Sequence, residues 1–166
     1  MTAKKSGVVS KKVVVVKVGL IDHPDIWRRI AIREDQTLID LHDAIFDAFE
    51  REEEHLFSFY LPQKKPREKD RISPSALRTA IEYACPYVLE YPLFKDVANE
   101  LTKSAEAKIK DLNLQRGSVL YYLFDFGDEW WHHITVEAVD QPAEHGKYPR
   151  IIEKHGQSPP QYPDYD

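Results

Sequence analysis

Apolar and polar positions follow two rhythms along this chain, and the changes between them mark its elements. Residues 13–20, VVVVKVGL, form a β-branched run that ends near Gly19. Branched side chains suit a pleated surface, so the run predicts a strand. Asp22, Pro24 and Asp25 supply turn chemistry. Residues 26–33, IWRRIAIR, then alternate. Ile26, Ile30 and Ile32 share one face, interrupted by Arg28, while Trp27, Arg29, Ala31 and Arg33 take the other. This pattern predicts a half-buried strand paired with the first. At Thr37 the period lengthens. Leu38, Leu41, Ile45, Ala48 and Phe49 recur at helical spacing, and His42, Asp43, Asp47 and Glu50 fall elsewhere on the wheel. Thr37 is a good N-cap, with Asp40 placed as a short capping-box partner. Residues 55–61, HLFSFYL, return to strand alternation through Phe57, Phe59 and Leu61.

The middle of the chain is less sharply patterned. Residues 62–71 are polar and read as a connection. Ser73 and Pro74 make an N-cap and first-turn pair for a helix carrying Leu77, Ala80, Ile81 and Ala84, ending before Pro86. Leu93, Val97, Ala98 and Leu101 suggest a further helix, and residues 104–114 a short helical turn. The clearest strands are 118–126 and 130–139, a hairpin. Pro142, Gly146 and Pro149 mark its exit, and the Pro- and Tyr-rich end is expected to lack regular structure. The expectation is an α+β fold: a mostly antiparallel sheet with packed helices in a single domain over residues 13–152. Residues 1–12 and 153–166 are expected to be tails. The strand–strand–helix–strand opening resembles a β-grasp, and the hairpin closes the domain.

The hairpin contains DFGDEWWHH, residues 125–133. A three-residue turn over residues 127–129 would pair Phe126 with Trp130, Phe124 with His132, Tyr122 with Ile134 and Leu120 with Val136. This register gathers the large apolar residues on one face. Asp125, Trp131, His133, Thr135 and Glu137 then share the other. Gly127 is expected to supply a positive φ for the turn. Asp125 and Asp128 are expected to accept backbone or histidine N–H bonds around it.

Bulk properties narrow the function classes. The 166-residue chain is 42% hydrophobic and 31% charged, as expected of a folded globular protein. Its formal net charge of −5 gives no global attraction to nucleic acid. Cys85 is the only cysteine. No intramolecular disulfide can form, and a buried thiol at a helix end is expected. The opening residues lack a sufficient apolar stretch, and VVVV is too short to span a bilayer. The expectation is a cytoplasmic chain with no membrane association.

DFGDEWWHHI resembles the motif of the plasmid Ri ORF-three-like family, also called the transposon-passenger TnpR-like family. The match falls on Asp125, Phe126, Gly127, Asp128, Trp130, His132 and Ile134, with Trp131 and His133 at variable positions. The N-terminal half resembles the family through Trp27, Arg28, Leu38, Leu41, His42, His55 and Phe59. YPRIIEKHGQSPP resembles its C-terminal segment. Many members continue after the two prolines with an acidic, glycine-rich stretch and a nearby cysteine. Here Pro159 and Pro160 lead into QYPDYD. The resemblance implies an α+β domain of the family's own type and settles no activity.

Three functions compete. The leading one is a non-catalytic protein-binding or adaptor module, since the chain lacks a Walker loop, a nucleophile elbow, a CxxC pair and a dinucleotide turn. The second is a metal-dependent hydrolase or nuclease. There Asp125, Asp128, His132 and His133 would hold a divalent cation, the one cofactor to consider, with His55 or Glu137 completing the shell. The third, which only the transposon association implied by the resemblance suggests, is nucleic-acid binding, for which Trp27, Arg28, Arg29 and Arg33 on one strand could supply a surface.

Overall fold

The first alternating run is strand β1 (Lys12–Leu20), paired antiparallel with β2 (Trp27–Arg33) from Gly19↔Trp27 to Val13↔Arg33. A computed structural model describes residues 11–66, 72, 74–91 and 101–163. After the pair come helix α1 (Leu38–Ala48), β3 (Phe57–Leu61), α2 (Pro74–Arg78), β4 (Ile81–Ala84) and α3 (Pro86–Glu90). Then follow β5 (Thr102–Ser104), a 3-10 turn (Ile109–Leu112), β6 (Val119–Phe124), β7 (Trp130–Pro142) and β8 (Arg150–His155). All eight strands form one sheet in the order β5-β4-β3-β6-β7-β1-β2-β8. Among the described residues only β4 and β5 pair in parallel.

This architecture corrects the expected fold class. It is an eight-stranded mixed sheet with few helices, in place of a mostly antiparallel sheet with packed helices. Among the described residues α1 is the one helix longer than five residues. The β-grasp-like opening does not hold either. β3 lies apart from the β1–β2 pair, because β6 and β7 insert between them. Their long apolar faces find partners on both sides: β6 on β3, and β7 on β1.

α1 begins as its capping signals require. Thr37 accepts from the Asp40 N–H, and the Asp40 carboxylate accepts from the Thr37 N–H. Two further first-turn donors, Leu38 and Ile39, reach the carbonyls of Ala107 and Ala105. At the other end the Arg28 Nε donates to the Ala48 carbonyl at 2.8 Å. Its Nη1 donates to the carbonyls of Trp27 and His155. Arg28 is only 2% exposed, so the residue that interrupted an apolar face ties β2, α1 and β8 together from inside. The core lies between α1 and one face of the sheet, through Leu38, Leu41 and Ile45 on the helix and Val16, Val18, Ile30, Leu120 and Ile134 on the strands.

One expectation in the middle of the chain changes. The helix starting at Pro74 stops at Arg78, and residues 81–84 form β4, where Tyr83 and Ala84 pair with Phe59 and Ser58. A four-residue segment suits either period, and the free edge of β3 decides it. Buried Cys85 follows as the N-cap of α3, donating its N–H to the Phe57 carbonyl. Residue 73 and the helix suggested around residues 93–98 lie outside the described residues.

The C-terminal segment is also more ordered than a tail. β8 pairs with β2 across the boundary expected at residue 152. Beyond it Ser158 donates to the Phe49 carbonyl at 2.8 Å, and Gln161 bonds with the backbone of Glu52 and Glu53. Pro149, just before β8, hides the strand pattern without preventing the segment from pairing.

Removing Arg28 takes the side-chain donor from the buried Ala48 carbonyl and from the part-buried carbonyls of Trp27 and His155. Arg28→Met, which keeps much of the aliphatic bulk, should cost on the order of 3 kcal/mol in urea melts. A loss below about 1 kcal/mol would show that the three carbonyls find other donors.

Candidate functional site

The quoted motif forms the β6–β7 connection. Its register is Phe124↔Trp130, Tyr122↔His132 and Leu120↔Ile134, two residues from the expected one. The faces survive because a shift of two preserves side-chain parity. Asp125 causes the shift. Its φ is 64°, its N–H donates to the Leu56 carbonyl, and its carbonyl accepts from the Glu129 N–H at 2.7 Å. These bonds draw Asp125 and Phe126 out of the ladder into a loop over residues 125–129. Asp125 and Glu129 carry the left-handed conformations, so the positive φ expected at Gly127 lies elsewhere. Gly127 serves by its missing side chain. An added Cβ would lie 3.3 Å from the Asp125 Oδ1, which accepts from the Gly127 and Asp128 N–H groups. Asp128 enters this turn through its backbone.

Around the loop, His55 Nε2 lies 2.7 Å from the Tyr162 hydroxyl and 3.5 Å from Asp125 Oδ2. Tyr162 donates in turn to Glu53. Trp130 faces inward, half-buried, with the Arg51 guanidinium 4.2 Å from its ring centre. Phe124 and Phe49 complete this aromatic surround, and no carboxylate among the described residues pairs with Arg51. Burial brings the Arg51 pKa down to about 10, which leaves it charged at neutral pH.

His132 is fully buried beside Arg51. Its Nδ1 donates to the Tyr122 carbonyl at 3.3 Å, and its Nε2 accepts from Arg51 at 3.5 Å. Burial, and then the Arg51 charge, lower its pKa to about 3, so it is neutral. His133 points to the opposite face. Asp125, Asp128, His132 and His133 are therefore not brought together as a metal shell. Among the described residues the group able to hold an ion is His42, Asp43 and Glu54.

His42 was expected off the apolar stripe of α1, yet it is 2% exposed. Its spacing from Leu38 and Ile45, four and three residues away, carried that signal. Its ring stacks on Phe57 at 3.7 Å between centroids. Nδ1 lies 2.5 Å from the Tyr122 hydroxyl and Nε2 2.7 Å from Glu54 Oε1. Burial lowers its pKa to about 4.

The sheet face opposite α1 carries a groove of about 340 Å³. Gly19 floors it without a side chain, between Trp27 and His133, its register partners on either side. Lys17 and Thr135 form the next row, and Lys65 and Pro66 add a rim. The Lys17 ammonium lies 4.6 Å from the Trp27 ring centre, and His155 stacks on the same ring. The arginines once grouped with Trp27 are otherwise engaged: Arg28 faces the core, Arg29 pairs with Glu137 and Glu153, and Arg33 pairs with Asp35.

The fold and motif together define a mixed-sheet domain with helix α1 covering one face and an aspartate-braced hairpin. The chain belongs to the plasmid pRiA4b ORF-3-like protein family, whose model matches residues 12–162. Among solved structures it is similar to a protein of unknown function, MM3350, from Methanosarcina mazei Go1. The identity is 23% and the TM-score 0.66, over 92% of this chain and 74% of that one. At that identity the likeness concerns the fold alone. No curated protein sequence matches the chain. Among the described residues no helix is long and apolar enough to cross a membrane.

Two measurements check this account. Asp125→Asn retains the side-chain acceptor and tolerates the left-handed backbone, so it should cost under about 1 kcal/mol. Asp125→Ala loses the acceptor and adds strain, and should cost about 1–3 kcal/mol more. Equal losses in urea melts would rule out the turn-bracing role.

For His132 the folded pKa lies below the unfolded value of about 6.5. Its contribution is complete above that value and is lost as pH falls toward the folded pKa. The corresponding slope is about 1.4 kcal/mol per pH unit. Wild-type stability should therefore fall more steeply than that of His132→Gln between about pH 6 and 4.5, by roughly 1 kcal/mol per unit. Parallel slopes would mean that the ring titrates normally in the fold.

Proposed function

We propose that this protein is a non-catalytic binding module whose groove over Gly19 receives an extended segment of a protein partner. The observation that carries this reading is the gap at Gly19, flanked by two ring side chains at the same register. The gap suits one planar side chain of a partner, held between Trp27 and His133. Lys17, Lys65 and Glu137 line the groove, and Glu137 is already paired with Arg29. That balance favours a carboxylate beside the inserted ring. The preferred partner segment is an aromatic residue flanked by an acidic one. The Asp125 carboxylate, engaged in bracing its turn, favours binding over hydrolysis at the hairpin.

The test is selection of random peptides on the immobilised full chain, compared with Gly19→Val. A Cβ at position 19 meets only ordinary contacts, 3.7 Å from the Trp27 Cβ and 3.8 Å from the Ile26 carbonyl. Valine also suits a strand, so the variant should fold and melt like the wild type. Selected peptides should be enriched in aromatic–acidic pairs and bind the variant at least about tenfold more weakly, a loss of about 1.4 kcal/mol. Peptides that bind both proteins equally, or a selection that yields none, would refute the groove as the binding site.

A further inference from the structure

The chain holds a second constellation, on the opposite side of the sheet from the groove. His42, on α1, is buried and fixed in orientation by the Phe57 ring beneath it and by the Tyr122 hydroxyl on Nδ1. Its other nitrogen faces outward, 2.7 Å from Glu54 Oε1. Glu54 follows α1 in the connection to β3, and its side chain is 61% exposed. Asp43, next to His42 on the helix, is also exposed. One donor atom from each of the three residues lies within 4.8 Å of the other two.

We propose that His42 Nε2, Glu54 and Asp43 form a binding site for a divalent transition-metal cation of the zinc or manganese type. An imidazole nitrogen in the donor set favours these ions over Mg²⁺ or Ca²⁺, which select oxygen. Each residue contributes a different property. His42 has a lone pair to give on Nε2 once its proton sits on Nδ1, against the Tyr122 oxygen. That second partner orients the ring, as outer partners of metal-bound histidines do. Asp43 and Glu54 bring two carboxylates within 4.8 Å of each other and of the imidazole nitrogen, and a dication would balance their charge. The ion would also pin residues 49–56 to α1, since Glu54 reaches back to His42 across that connection. The site shares no residue with the groove, so it stands or falls independently of the binding-module reading.

The test uses untagged full-length protein, titrated with ZnCl₂ and with MnCl₂ by calorimetry, with MgCl₂ and CaCl₂ as comparators. His42→Ala would open a gap beside Phe57 and Tyr122, so the exposed carboxylates carry the experiment as Glu54→Gln and Asp43→Asn. Both variants should keep the wild-type circular dichroism spectrum. Wild type should bind one Zn²⁺ or Mn²⁺ saturably, more tightly than Mg²⁺ or Ca²⁺. Its melting temperature should rise with the ion, by preferential binding to the native state. Each substitution should weaken binding at least about tenfold and remove most of the rise. The proposal is overturned by no saturable transition-metal binding below about 100 µM, a concentration at which even a site of modest affinity would be half-filled. It is equally overturned by binding that either carboxylate variant weakens less than about tenfold, because the zinc would then sit on other histidines.

Discussion

The Arg28 guanidinium is the tie on which the rest of this structure depends. It takes the Ala48 carbonyl at the C-terminal end of α1, where helical carbonyls lack intrahelical donors. It also takes the His155 carbonyl at the end of β8. A cation there suits the negative end of the helix dipole. Once the helix end is set on β2, the chain leaves through Phe49 and Glu50, the latter at a φ of 54°. Arg51 then lies against Trp130, and Glu54 returns to His42. Burial of Arg28 carries a desolvation cost, visible in its lowered pKa. Three carbonyl partners offset that cost.

The same economy governs the conspicuous hairpin. DFGDEWWHH looks chemical because it is dense in aspartate, histidine and tryptophan, yet much of its polar chemistry is spent on architecture. Asp125 braces its own turn, Asp128 enters through a backbone N–H, and His132 sits neutral between Tyr122 and Arg51. The features more open to a ligand lie elsewhere. One is a groove left by the missing side chain of Gly19. The other is a histidine whose outward nitrogen meets two carboxylates. The two lie on opposite faces of one sheet, so one chain can offer both without their interfering.

Local periodicity carried a good deal of the structure. The strands at 12–20, 27–33, 57–61, 119–124 and 130–142, and helix α1 with its capping box, follow directly from residue spacing. The hairpin faces were legible because parity decides which side chains are buried. Its register was not, since that depended on Asp125 adopting a left-handed backbone and bonding to Leu56, far away in sequence. β4 and β8 were missed for a related reason. A four-residue segment and a Pro-flanked one carry too little pattern of their own, and they become strands because β3 and β2 offer free edges.

For the candidate sites the division is sharper. The sequence by itself determined which side chains exist, which stripe of α1 is apolar, and that the motif's glycine stands between two aspartates. Only the tertiary structure decided that Arg28 turns inward while Arg29 pairs with acids. It alone placed Gly19 between Trp27 and His133, and brought Glu54 back to His42. The physical reason is that strand and helix periods depend on neighbours within a few residues. A site needs side chains from segments distant in sequence, and their meeting is set by which strands pair and by where the buried cations find their carbonyls.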